Sequence, residues 1–192
     1  MYKKGIKLIL MPFFVIFEII NLKLVIMETN FLAILGAAFI PMIIGFLWYG
    51  PMLFQKAWMK EMNFTLKDME GGNMLLIFGL SFIFSCMLAF SIQMLVIHQW
   101  GVFSTLAGEP GFMEKTGGGY AYYEEFMSNF GNRFRTFKHG ALHGVLAGIF
   151  IVLPIIGIKA LFERKSFKYI AINVGYWIVT LALMGGIICQ WA

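Results

Sequence analysis

HGALHGVLAGIFIVLPIIGIKAL, residues 139–161, decides the fold. At about 1.5 Å per residue, a helix of this length exceeds the roughly 30 Å hydrocarbon core of a bilayer. Its only ionisable side chains are His139, His143 and Lys159. Residues 31–53, 74–100 and 169–191 are comparably long and apolar. Together the four stretches predict an all-α, polytopic membrane helix bundle of four spans. The intramembrane carboxylates and guanidinium groups that mark ion paths, proton relays and voltage sensors are missing from them.

Composition points the same way. Hydrophobic residues make up 60% of the chain and charged residues 13%, against about 25% charged in an ordinary soluble domain. Mean hydropathy is +0.80. The net charge of +5 comes from 15 basic residues. These are scattered between the spans rather than gathered along one face, which argues against a nucleic-acid partner and for topology signals. Cys86 and Cys189 both fall in spans and read as packing residues rather than as a disulfide or zinc framework.

Residues 1–26 form a basic and apolar segment apart from the main domain at 28–192. Lys3, Lys4 and Lys7 precede an apolar run like a signal peptide, but no small-x-small cleavage site follows. Glu18 and Lys23 interrupt the run. It fits an interfacial helix or a fifth span, and Met27 offers an alternative start, with Thr29 or Asn30 as N-cap of the first good span. The connection after the first span carries Lys56, Lys60 and Lys67, and the one after the third carries Lys159, Arg164, Lys165 and Lys168. The positive-inside rule makes these short basic loops cytoplasmic and the 101–138 loop extracytoplasmic, in a plasma (inner) membrane. With residues 5–26 counted as a span, the N-terminus is also inside.

Small residues recur at four-residue spacing. Gly140, Gly144 and Gly148 lie on the third span, and Ser81, Ser85 and Ala89 on the second. Such stripes let backbones approach closely in lipid, so the second and third spans are expected to meet there. A homo-oligomer joined through the glycine stripe fits the spacing equally well. Pro41 and Pro154 predict kinks. In the middle loop, after the flexible glycine run at 117–119, residues Tyr123, Phe126, Met127, Phe130, Phe134 and Phe137 form one stripe of an amphipathic interfacial helix leading into the third span.

Gly45-Phe-Leu-Trp-Tyr-Gly-Pro-Met-Leu-Phe-Gln-Lys-Ala-Trp58 ends the first span and crosses the interface. It resembles the Gly-x-x-Trp-Tyr-x-Pro-x-x-Phe-x-x-x-Trp signature of the DUF1761 family of small multi-pass membrane proteins. Gly45, Trp48, Tyr49, Pro51, Phe54 and Trp58 carry the likeness, which extends over 28–192. Gln55 replaces an expected glycine, and the 101–120 insert is longer than usual. The resemblance implies a membrane domain without implying an activity. Physically, Trp48, Tyr49 and Trp58 are interface-belt residues and Pro51 stops the span. Thr65 and Asp68 read as a cap in the loop that follows.

His139 and His143 share one helical face, and His98 ends the second span on the same side. Three imidazoles can thus converge on zinc, copper or haem iron. There is no glutamate in the spacing of a zinc hydrolase, and the same histidines can equally serve as interhelical hydrogen-bonding groups. Glu109, Glu124 and Glu125 are the nearby carboxylates in sequence. Ser81, Ser85, Gln93, Asn173 and Thr180 either link helices or line an uncharged path. Phosphate loops, nucleophile elbows and paired intramembrane carboxylates are absent, so no catalytic residue is assigned. The leading reading is a non-enzymatic helix bundle with no cofactor and the lipid bilayer as its partner. A small-solute permease or channel and a histidine-ligated metal or haem protein stand beside it.

Overall fold

The computed structural model describes residues 29–69 and 72–192. The N-terminal segment 1–26, with its three readings, lies outside the described residues. The helices are α1 (Phe31–Trp48), α2 (Gln55–Met62), α3 (Met74–Val96), α4 (Gln99–Leu106), α5 (Gly117–Phe130), α6 (Phe137–Ala147), α7 (Leu153–Phe162) and α8 (Phe167–Trp191), with a π-helical turn at Gly148–Val152 between α6 and α7. No strand occurs among the described residues. Four helical stretches are long and apolar enough to cross a membrane: α1, α3, the run Phe137–Phe162 and α8.

Each of these stretches begins with a polar cap. Asn30 Oδ1 accepts from the Leu32 and Ala33 amides at 3.1 and 3.3 Å, and Asn73 Oδ1 from the Leu76 amide at 3.1 Å. Thr136 Oγ1 accepts from the His139 amide, and Ser166 Oγ from the Tyr169 amide. The first turn of a helix leaves backbone N–H groups without intrahelical partners, and a cap supplies one where lipid cannot. Of the two candidate caps before the first span, Asn30 makes these bonds.

α8 is the centre of the bundle. Its mean hydropathy, 1.8, is the lowest of the four, yet 56% of its most apolar window is buried. In lipid the most enclosed helix need not be the greasiest, because close packing rather than flight from water drives association. Glycines on α8 receive three different neighbours. Gly175 faces the Trp48 ring from α1, Gly185 the Gly140 backbone of α6, and Gly186 the Phe137 ring.

The glycine stripe is where the structure departs from the sequence expectation. Gly140, Gly144 and Gly148 lie against α8 rather than against the second span. A Cβ on Gly140 would overlap the Gly185 carbonyl, one on Gly144 would overlap the Leu181 carbonyl, and one on Gly148 would fall 2.6 Å from Ile178. The stripe is therefore filled within the chain. On α3, Ala89 is fully buried in the core, while Ser81 and Ser85 face a groove bounded by α1 and α8. A stripe of small residues says that a backbone will come close but carries no information about which one.

Two local expectations are also corrected. The glycine run at 117–119 is the first turn of α5, opened by Gly117 at φ +81°, rather than a flexible lead-in. The aromatic stripe does not continue to Phe137 as one helix, because α5 stops at Phe130 and Phe134 takes φ +63°. Part of its aromatic face packs on α4 and the turn after it, with Tyr123 5.9 Å from Phe103 and 5.4 Å from Phe112. At Pro154, which lacks an amide hydrogen, the helix widens beforehand into the π turn, where the Leu153 amide reaches back to the Gly148 carbonyl.

Gly144→Ala should cost about 1–3 kcal/mol through overpacking against the α8 backbone. Gly157→Ala, with nothing within 4 Å of the added carbon, should be neutral or slightly stabilising. Thermal loss of the monodisperse peak in detergent size-exclusion chromatography compares the two; equal stability would contradict the close α6–α8 packing.

Candidate functional site

The three histidines meet at one end of the bundle. α3 ends at Val96, and Ile97 takes an extended conformation with its side chain buried, which turns the chain and leaves His98 at the corner before α4. His139 and His143 stand one turn apart on α6, next to the helix cap at Thr136. His98 Nε2 lies 2.9 Å from His139 Nε2. One potential ligand atom from each ring falls within 4.8 Å of the others. Ring centroids are 5.0, 4.9 and 4.5 Å apart for the pairs 98–139, 98–143 and 139–143.

The surroundings hold the rings in place. Phe134 stacks on His139 at 5.1 Å and 20°, and the Arg133 guanidinium sits 5.4 Å from the Phe134 ring centroid. A cleft of about 350 Å³ opens beside His98, lined also by Gln99, Phe126, Phe130, Arg133 and Phe134. Among the described residues no carboxylate or thiolate joins the three imidazoles in this cluster. Glu109, in the turn after α4, and Glu124 and Glu125, on α5, are exposed and do not enter it.

Gln99 is the residue that sequence reasoning missed. It is 3% exposed, and its amide nitrogen donates to the carbonyls of Phe130, Gly131 and Arg133 at 3.0, 3.0 and 3.1 Å. One side chain thus satisfies the end of α5 and pins the 131–136 turn beside the histidines. A glutamine just past a span reads in sequence as an ordinary interfacial polar residue. Nothing local marks the three acceptors, which are more than thirty residues away. Arg135 closes the same turn from below, bonding the Cys189 carbonyl at 2.8 Å and the Ala192 carbonyl.

At the opposite end, the tryptophan–tyrosine stretch docks on α8. Trp48 Nε1 donates to the Ile172 carbonyl at 3.0 Å, and the Tyr49 hydroxyl donates to Asn173 Oδ1 at 2.9 Å. Burial, then the neighbouring phenols of Tyr176 and Tyr169, push the Tyr49 phenol well above its ordinary range, so it remains a neutral donor. After Trp48 the chain turns through Pro51 and folds back. Phe54 packs on Trp48 at 4.7 Å, and Trp58 of α2 packs on Tyr49 at 5.3 Å. Gly45 leaves room for Tyr176, whose hydroxyl donates to the Pro41 carbonyl at 2.9 Å. Ser166 donates to Glu61, which ties the connection after α7 to α2, so both short basic connections lie at this end. The Thr65–Asp68 cap forms as the sequence indicates, with Thr65 Oγ1 donating to Asp68 Oδ2 at 2.6 Å.

Most of the polar residues within the spans either bond a neighbour or line the groove. Gln93 donates to Thr29 at 2.9 Å, and Asn173 bonds both Tyr49 and its own helix through the Tyr169 carbonyl. Thr180 is fully buried. Ser81 and Ser85 line the groove.

A family model described as "Protein of unknown function (DUF1761)" matches residues 32–189. No curated protein and no solved structure matches the chain.

Gln99→Ala should remove the side-chain donor from the Gly131 and Arg133 carbonyls, while Phe130 keeps its bond from the Arg133 amide, and cost about 1–3 kcal/mol. Hydrogen exchange should speed up across residues 131–136 while the protection of α8 persists. Unchanged exchange in that turn would show that Gln99 does not hold it.

Proposed function

We propose that this chain, which belongs to the DUF1761 family, is an integral membrane protein that binds a transition-metal ion through His98, His139 and His143. The observation that carries the proposal is the convergence of three imidazoles, one from the corner between α3 and α4 and two from α6, onto a space less than 5 Å across. Neutral imidazoles suit zinc, copper and nickel. Two nitrogens bound to one tetrahedral ion at about 2.0–2.1 Å stand roughly 3.3 Å apart. The His98–His139 separation of 2.9 Å is within a small ring rotation of that value. A haem clamp fits less well, since axial nitrogens on either side of a macrocycle are about 4 Å apart, twice a metal–nitrogen bond.

The cleft beside His98, which His139 and His143 do not line, would give water or a small ligand access to the cluster from that side. With no carboxylate in the cluster to act as a general base, capture or presentation of the ion accounts for the arrangement better than hydrolysis. The competing structural reading uses the same rings as a hydrogen-bonded pair, one nitrogen donating and the other accepting. It explains the 2.9 Å contact but gives His143 no task. The permease reading draws on Gln93 and Asn173, whose side chains are engaged with Thr29 and with Tyr49 and the Tyr169 carbonyl. In the membrane, the basic connections would face the cytoplasm and the histidines the outer side of the plasma (inner) membrane.

Detergent-purified full-length chain, stripped with chelator, loaded with zinc and desalted, should retain about one zinc per chain by elemental analysis. His139→Ala combined with His143→Ala should abolish retention, and His98→Ala should weaken it at least about tenfold. Metal-free wild-type protein, or a double variant that still holds zinc with an unchanged elution profile, would overturn the proposal.

A further inference from the structure

A second cavity, remote from the histidines in the fold, is the larger of the two. It has a volume of about 640 Å³ and lies between α1, α3 and α8. No carboxylate, amine, guanidinium or imidazole lines it. Its outer wall includes Phe46 and Phe84, which are 77% and 59% exposed on span-length helices. In a bilayer this wall would meet hydrocarbon, so the groove opens sideways to lipid, while Gly50, Pro51 and Gln55 line its end at the turn between α1 and α2.

Its inner wall carries donors without partners. Ser85 is only 5% exposed yet lines the groove, and Ser81 lies one turn before it on the same face. Neither hydroxyl makes a hydrogen bond with the described residues, whereas Ser91 on the same helix donates back to the Met87 carbonyl at 3.1 Å. A hydroxyl left unpaired in hydrocarbon costs free energy. The two phenols of the wall are already engaged, Tyr49 with Asn173 and Tyr176 with Pro41, so they offer ring faces and not hydroxyls. Trp177 adds a further aromatic face.

We infer that this groove binds a neutral, membrane-dissolved amphiphile of the quinone class. A carbonyl oxygen would accept from Ser85 or Ser81, the ring would lie against Tyr176 and Trp177, and an apolar tail would leave past Phe46 into the bilayer. The volume falls within the range of about 300–1,000 Å³ found for small-molecule sites. The uncharged lining disfavours an anionic headgroup. A phospholipid acyl chain fits the apolar wall but leaves both serines unmatched. The inference stands independently of the metal site.

The test is a titration of delipidated full-length protein in detergent with a decyl-tailed benzoquinone, read by tryptophan emission, since quinones quench indoles on contact. Quenching should saturate, and Trp177→Phe should remove most of the saturable part. Ser85→Ala, which conserves space and fold, should weaken binding by about three- to tenfold, the worth of one hydrogen bond. Non-saturating quenching would overturn the inference. So would a Ser85→Ala variant that binds with unchanged affinity, or displacement by phosphatidylcholine at equal concentration, which would make the groove a general acyl-chain slot.

Discussion

The contact between the backbones of α6 and α8 is the constraint on which the rest of the bundle depends. Gly140 and Gly144 meet Gly185 and Leu181 with no side chain between them, and Gly148 meets Ile178 one turn further on. In lipid, helices this apolar would have no hydrophobic effect to pull them together, so dispersion contacts at this separation would supply the association energy. Because α6 is seated so deeply, His139 and His143 are fixed beside the corner at which α3 ends. Phe137, at the start of the same helix, is pressed onto Gly186. One seam of missing side chains therefore positions the metal-site candidates and determines what can pack around α8.

Away from that seam, α8 is held by hydrogen bonds. Trp48, Tyr49 and Tyr176 join it to α1 at one end, and Arg135 caps its carbonyls at the other. Such bonds gain about 0.6 kcal/mol on average between membrane helices, so they fix register more than they supply stability. The low hydropathy of α8 has the same origin. The glycines that admit its neighbours and the Asn173, Tyr176 and Thr180 side chains all lower its score while increasing its enclosure.

Much of this was legible in the sequence, and the limits are instructive. The four span-length helices among the described residues and their approximate ends follow from apolar length, and Asn30 is a polar residue immediately before such a run, whereas Lys138 and Lys168 obscure the caps at Thr136 and Ser166. That the histidines share one end follows from counting spans, and their i, i+4 spacing puts two on one face. The partner of the glycine stripe was not legible, because Gly185 and Gly186 form no stripe of their own and α3 offers a more regular one. The bond between Tyr49 and Asn173 links residues 124 positions apart, and no local pattern predicts it. The groove was invisible for a related reason. Ser81 and Ser85 looked like packing residues on spacing alone, and only their placement opposite α1 and α8 shows that no helix fills the space in front of them.

X-ray absorption at the zinc edge, on the zinc-loaded chain in detergent, tests the central claim most directly: that α6–α8 packing brings three imidazoles onto one ion. Three imidazole nitrogens at about 2.0–2.1 Å, with a light atom in any remaining position, is the predicted first shell. Sulfur scattering at about 2.3 Å, or a shell of oxygen alone, would contradict it.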